Sequence, residues 1–156
     1  MLTKKEMLIL SSLRKNAREQ LTKMSKKTAI PVSTIFEKMR IYEGDIISRY
    51  TSLIDFNKLG FSTRVAIMLK VDSKQKEIIR EHLILSKSLN SVYKVNNGYD
   101  FFVEGIFHDI KEVDEFIENL EKHFGITDKY VYHIVEDIKR EDFMSSPEYT
   151  KIVSVS

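Results

Sequence analysis

Leu2, Met7, Leu10 and Leu13 recur at near-helical intervals, with Ile9 widening the stripe, and Thr3-Lys4-Lys5-Glu6 ahead of them has the spacing of a capping box. In that motif the threonine hydroxyl accepts from the Glu6 amide while the glutamate returns to the cap amide. The pattern predicts a helix over 3–15, ended by the polar break Asn16-Ala17-Arg18. Leu21, Met24 and Thr28 mark a second, short helix. Beyond Ala29-Ile30, Pro31 suits a first helical turn, where its missing N–H is no loss. Ile35, Met39 and Tyr42 then form an inward stripe at i, i+4, i+7, opposite Ser33, Thr34, Glu37, Lys38 and Arg40. Two short helices joined by a tight turn of small residues, behind a first helix, form a helix-turn-helix arrangement. In such a pair the second helix presents its N-terminal polar residues to base edges in the major groove. Phe36 is assigned to packing at the edge of this bundle, in preference to contact with a thymine methyl.

The period changes after Tyr42. Residues 45–55 are rich in β-branched and aromatic side chains and read as an extended arm. Leu59-Gly60-Phe61 then marks a boundary. Val65, Ile67, Leu69 and Val71 alternate through a predicted strand over 64–72. A helix over 74–86 follows, capped by Ser73, with Ile78, Ile79 and Leu83 inward. Strands over 92–95 and 101–107 flank Asn96-Asn97-Gly98-Tyr99-Asp100, and Asn-Gly is a strong hairpin signal because both residues tolerate positive φ. A helix over 110–124 carries Ile110, Val113, Phe116, Ile117 and Leu120, and a last strand is expected over 130–138. The order strand-helix-strand-strand-helix-strand is the split βαβ, or ferredoxin-like, arrangement. Its helices cover one sheet face, so an apolar stripe on the other face calls for a partner and a homodimer is expected.

The expected architecture is α+β. A three-helix (winged) helix-turn-helix domain with its arm spans 1–55, a linker 56–60, a ferredoxin-like βαββαβ domain 61–140, and a C-terminal tail 141–156. Charge follows the same division. The net charge is +2, but residues 1–60 carry 12 Lys/Arg against 6 Asp/Glu, whereas 61–156 carry 13 against 17. A basic first third suits a phosphate-binding module joined to a domain that binds no phosphate. Lys23, Lys26 and Lys27 are the candidate phosphate contacts, which supply affinity and salt dependence and not sequence preference.

The absence of cysteine excludes disulfides and thiolate zinc sites. The N-terminus lacks a signal-peptide pattern, and no stretch approaches the apolar length of a membrane span, so a cytoplasmic protein is expected. His82, His108, His123 and His133 are scattered, with no metal-ligand pair at i, i+4. No catalytic residue, metal or cofactor is expected.

The whole order resembles the leucine-responsive/asparagine regulator (Lrp/AsnC) family of transcription factors over 2–140. Ile9-Leu10-Ser11-Ser12-Leu13 followed by Asn16-Ala17-Arg18, Thr34-Ile35 with Lys38, Ile47 and Tyr50 with Leu59-Gly60, and Gly98-Tyr99-Asp100 carry the likeness. The resemblance implies a sequence-specific DNA-binding regulator acting as a dimer, often assembled to a tetramer or octamer. It also implies a small effector such as an amino acid at the hairpin, here Asn97, Gly98, Tyr99 and Asp100. The chain departs from the family at Pro31, where a serine cap is usual, and at Asn97, where the hairpin glycine is usual.

Two other functions share this outline. One is an amino-acid sensor or interaction module that does not bind DNA. The other is a tetrapyrrole (sirohaem) decarboxylase of the same two-domain shape. The basic recognition face argues against the enzyme, and salt-dependent DNA binding separates a regulator from a sensor.

Overall fold

The computed structural model describes residues 2–149. They fall into two compact units, one of residues up to Leu53 together with those from Ile138 onward, the other Ile54–Asp137.

The first unit is built on three helices: α1 (Lys4–Lys15), α2 (Leu21–Thr28) and α3 (Val32–Tyr42). Both halves of the capping box form at the start of α1. The Thr3 amide donates to Glu6 Oε2 at 2.7 Å, and the Glu6 amide to Thr3 Oγ1 at 3.3 Å. Ile9, Leu10, Leu13, Met24, Ile30, Ile35 and Tyr42 make the core, with Met39 and Ile47 packed against it. All but Ile30, from the turn, and Ile47, from the arm, are positions that helical periodicity marked as inward. The arm differs from expectation. Only Glu43 and Ile47 bridge, held by the Tyr42 carbonyl, which accepts from the amides of Ile46 and Ile47 at 3.0 and 2.8 Å. Residues 48–55 are exposed and form no regular element within one chain. The segment from Ile138 packs on α1: Arg14 pairs with Glu141 and donates through Nε to the Phe143 carbonyl at 3.1 Å. A 3-10 turn at Pro147–Tyr149 also lies against α1. The rest of the expected tail, 150–156, lies outside the described residues.

The second unit opens with a 3-10 turn (Phe56–Leu59) and continues β1 (Thr63–Val71), α4 (Lys76–Leu85), β2 (Leu89–Lys94), β3 (Phe101–Phe107), α5 (Ile110–His123) and β4 (Ile126–His133). The sheet order is β2-β3-β1-β4, antiparallel throughout, as the ferredoxin-like arrangement requires. Val65, Ile67, Leu69, Val103 and Phe107 point from the sheet into a core closed by Ile79 and Leu83 of α4 and Val113, Ile117 and Leu120 of α5. Gly105 faces the same way, where an added Cβ would stand 2.4 Å from the Phe107 ring.

Three expectations are corrected here. The last strand runs over Ile126–His133 and not 130–138, because its partner β1 begins at Thr63 and the pairing ends at Val65↔His133, with one further bond from the Ile134 amide to the Arg64 carbonyl at 2.8 Å. Val135, beyond the paired residues, is exposed. The first helix of this unit starts at Lys76 and not at residue 74. The Asp72 carboxylate accepts from the Lys74 amide at 2.8 Å, making a turn where a Ser73 cap was expected. Ile78 and Ile110, expected inward, are exposed at the outer edges of α4 and α5.

The sheet face away from the helices carries Ala66 and Met68 on β1, Phe102 and Ile106 on β3, Tyr93 on β2, and Tyr130 and Tyr132 on β4. Arg64 lies there too, donating to Glu104 at 2.5 Å and Asp137 at 2.7 Å. Burial works against its charge, but the two carboxylates outweigh that and hold its pKa above the ordinary value.

Candidate nucleic-acid interface

The helix pair α2–α3 depends on a three-residue turn. Ala29 ends α2 in the left-handed region (φ 55°, ψ 33°), its amide bonded to the Ser25 carbonyl at 2.9 Å. Left-handed backbone is unusual for alanine, and a larger, β-branched residue would be strained there. Ile30 plugs the core, and Pro31 occupies the N-cap of α3, one residue before the first turn where it was expected. Its carbonyl accepts from the Ile35 amide at 3.0 Å, but no side chain caps the helix. The leading amides of α3 therefore lack the acceptor that a serine or threonine would provide.

With Ile35 fully buried and Tyr42 almost so, the opposite face of α3 is set by the helical repeat. Ser33, Glu37 and Arg40 are exposed, and their side chains make no hydrogen bond or ion pair among the described residues. Thr34 is half-buried at the margin.

Lys38 behaves differently. Its ammonium reaches the Glu6 carboxylate at 2.7 Å, tying the middle of α3 to the first turn of α1. Glu6 thus caps α1 with one oxygen and holds Lys38 with the other. The Lys38 contact, then the Thr3 bonds, draw the Glu6 carboxyl down to about 2. Beside it, burial and then the Glu6 charge push the Tyr42 phenol up to about 12.

The α2 lysines also divide. Lys27 pairs with Glu19, whose side chain is nearly buried. Lys23 and Lys26 are exposed and unpaired among the described residues. Sequence reasoning grouped Lys27 and Lys38 with the rest because their acidic partners lie at Glu19 and Glu6, before the helix pair begins.

Phe36, assigned to packing at the bundle edge, stands 53% exposed, one turn from Ser33 and Arg40.

The hairpin loop has the opposite character. Asn97 and Gly98 adopt positive φ (66° and 98°), as the Asn-Gly turn demands. Tyr99 donates its hydroxyl to Asp128 at 2.9 Å and packs edge-on against Tyr130. Burial, then Asp128, raise its phenol to about 12. Asp100 accepts from the Val71 amide at 2.9 Å and from Lys76 at 2.5 Å, while its own backbone bonds Leu69 and Val95. Burial alone would raise its carboxyl, but Lys76 and the Val71 amide prevail and it lies below its ordinary value. A cavity of about 190 Å³ in this unit opens between Phe56, Phe61, Lys87, Leu89 and Ile106, and none of the four expected effector residues lines it.

Among the described residues, no group of His, Asp and Glu is arranged to hold a metal ion. No helix among them is long and apolar enough to cross a membrane.

No family model matches the chain. An uncharacterized HTH-type transcriptional regulator of Pyrococcus furiosus is 26% identical over 140 residues, covering 89% of this chain and 94% of the relative. The HTH-type transcriptional regulator FL11 of Pyrococcus abyssi is 25% identical over 111 residues, or 70% of this chain and 74% of that one. Among solved structures, the Neisseria meningitidis regulator NMB0573 in complex with L-Met superposes with a TM-score of 0.83 at 19% identity, covering 90% of this chain and 94% of that one. LrpC of B. subtilis gives 0.80 at 18%, covering 89% and 98%, and AsnC of E. coli gives 0.79 at 16%, covering 90% and 96%. The fold expected from the sequence is borne out by these structures, and the relatives matched by sequence are HTH-type transcriptional regulators.

Proposed function

We propose that this chain, an HTH-type transcriptional regulator of Lrp/AsnC type, binds double-stranded DNA with α3 in the major groove. One observation carries the reading: α3 is locked into the bundle by Ile35 and Tyr42 while Ser33, Glu37 and Arg40 on its outer face are left without intramolecular partners. Exposed donors and acceptors held on a rigid helix suit base edges, and Lys23 and Lys26 supply phosphate contacts. Lys27 and Lys38 serve this interface by orienting the helices. The protein acts in the cytoplasm, where its DNA is.

Palindromic sites call for two copies. The homodimer forms through the open sheet face, where Met68, Phe102, Tyr93, Tyr130 and Tyr132 cluster. Further assembly to tetramers or octamers follows the pattern of the family. An amino-acid effector acts on the sheet unit, as the L-Met bound to the Neisseria regulator suggests. At the hairpin such a ligand would meet chiefly the backbone of Asn97 and Gly98, since Tyr99 and Asp100 are engaged.

Fluorescence anisotropy against the DNA upstream of the chain's own gene, at two salt concentrations with a scrambled duplex as control, tests the reading. Preference for the native duplex that weakens with salt is the expected result. Absence of binding at low salt would reduce the helical unit to a scaffold and leave the sensor function.

A further inference from the structure

The exposed face of α3 is not uniformly polar. Phe36 occupies its middle, 53% exposed, with Val32 one turn before it at 38%. Helical neighbours lie three and four residues apart, so Phe36 is flanked by Val32 and Ser33 on one side and Arg40 on the other. Among the described residues no ring packs on it. The helical repeat forbids its joining the core, because Ile35 and Tyr42 already fix which face of α3 is inward. A bulky apolar side chain thus stands among the unpaired polar groups of the surface that meets DNA.

The chemistry of the groove narrows what such a ring can read. Base edges in the major groove of unmodified DNA display hydrogen-bond donors and acceptors, with a single apolar feature, the C5-methyl of thymine. Ser33, Glu37 and Arg40 can address the polar groups, and Phe36 cannot. Its flank is cationic at Arg40, and the first sixty residues carry 12 Lys/Arg against 6 Asp/Glu, which favours a polyanion over an acid-poor protein surface as the occupant.

We infer that Phe36 is a specificity-determining residue, its ring packing on the C5-methyl of one thymine in each half-site. The inference rests on the proposed DNA-binding role. It adds a requirement that no hydrogen bond encodes: a thymine at a fixed position, discriminated from any base that lacks the methyl.

Deoxyuridine pairs as thymine does and lacks only that methyl, so it isolates the contact. A duplex is first selected from a random library by the full-length protein, and each thymine in one half-site is then replaced singly by deoxyuridine. The expected result is one position where replacement weakens wild-type binding about fourfold, the worth of one buried methyl-sized group. Phe36→Ala should bind the thymine duplex more weakly by a similar factor and be indifferent to deoxyuridine there, with its melting temperature unchanged. Phe36→Leu should keep part of the sensitivity. Wild-type binding that ignores deoxyuridine at every position, or a Phe36→Ala protein that retains the full penalty, would overturn the assignment while the regulator reading stands. Self-association abolished by Phe36→Ala, with no deoxyuridine effect, would give the ring to a second copy and overturn it too. Failure to select any duplex would remove the regulator reading, and Phe36's role with it.

Discussion

The outer face of α3 and the hairpin loop at 96–100 were both marked as binding sites, and they are built on opposite principles. On α3, Ser33, Glu37 and Arg40 are exposed and unpaired among the described residues. In the hairpin, Asp100 uses both carboxylate oxygens and both backbone groups, and Tyr99 uses its hydroxyl. A polar side chain already satisfied inside the fold must break a bond before it binds anything, whereas an unpaired one on a rigid helix gives up only water. Residue type alone marks both places. The hydrogen-bond ledger separates a surface able to bind from a loop that closes a hairpin.

Asp100→Ala tests the structural end of this contrast and should have the largest effect. The substitution leaves the Val71 amide without its side-chain acceptor and Lys76 without its partner, in a partly buried place. Loss of one partner of a buried hydrogen bond costs about 1–3 kcal/mol, so thermal unfolding should shift down by several degrees. If Asp100 instead served mainly as a ligand-binding group, the melting temperature would hold and only effector response would fall.

Arg40→Ala probes the other end. Stability should stay within about 0.5 kcal/mol, as for an exposed side chain without partners. DNA affinity should fall by about 1–3 kcal/mol if the guanidinium meets a base edge. Anisotropy and a melting curve on one preparation give both numbers. A drop in stability matching the loss of affinity would show that Arg40 belongs to the bundle and not to the interface.

Lys38 sits between the extremes, and Glu6→Gln exposes its role. The Glu6 carboxyl has a folded-state pKa of about 2 against an ordinary 4.5. A depressed carboxyl contributes stability that is present above the ordinary value and is lost as pH falls from about 4.5 toward about 2. Wild-type melting temperature should therefore decline through that window more steeply than that of Glu6→Gln. Lys38→Ala should flatten the profile in the same way, and its DNA affinity should fall less than that of Arg40→Ala. An unaltered profile in both variants would free Lys38 to be a direct DNA contact.

Much of this was legible from local pattern. The capping box at Thr3 and Glu6, the inward stripe Ile35-Met39-Tyr42 and the Asn97-Gly98 turn depend on spacing within a few residues, and each stands where the pattern put it. What was missed depends on distant partners. The last strand stops at His133 because β1 begins at Thr63, and nothing within 130–138 records that. Lys27 and Lys38 are paired with Glu19 and Glu6, which lie outside the two helices that carry the lysines. Arg14 draws Glu141 and Phe143 onto α1 across most of the chain's length. Phe36 depends on no distant partner: it lies about a quarter-turn from the inward stripe of Ile35 and Tyr42, and there it is 53% exposed.

The smallest effect belongs to the α2 lysines, and it sharpens the same distinction. Lys23 and Lys26 are exposed and unpaired among the described residues, while Lys27 is held by Glu19. Each phosphate neutralised contributes about 0.9 to the slope of log affinity against log salt on duplex DNA. Lys26→Ala should therefore reduce the slope by about 1 and weaken binding alike on specific and scrambled duplexes. Lys27→Ala removes a charge that Glu19 already offsets, so its slope should change less. The comparison of the two slopes matters more than either affinity, since general destabilisation lowers affinity without selecting the lysine that has no partner. Equal changes in both variants would mean that the Glu19 pair opens on DNA, and that intramolecular pairing is a weaker guide to the interface than α3 and the hairpin suggest.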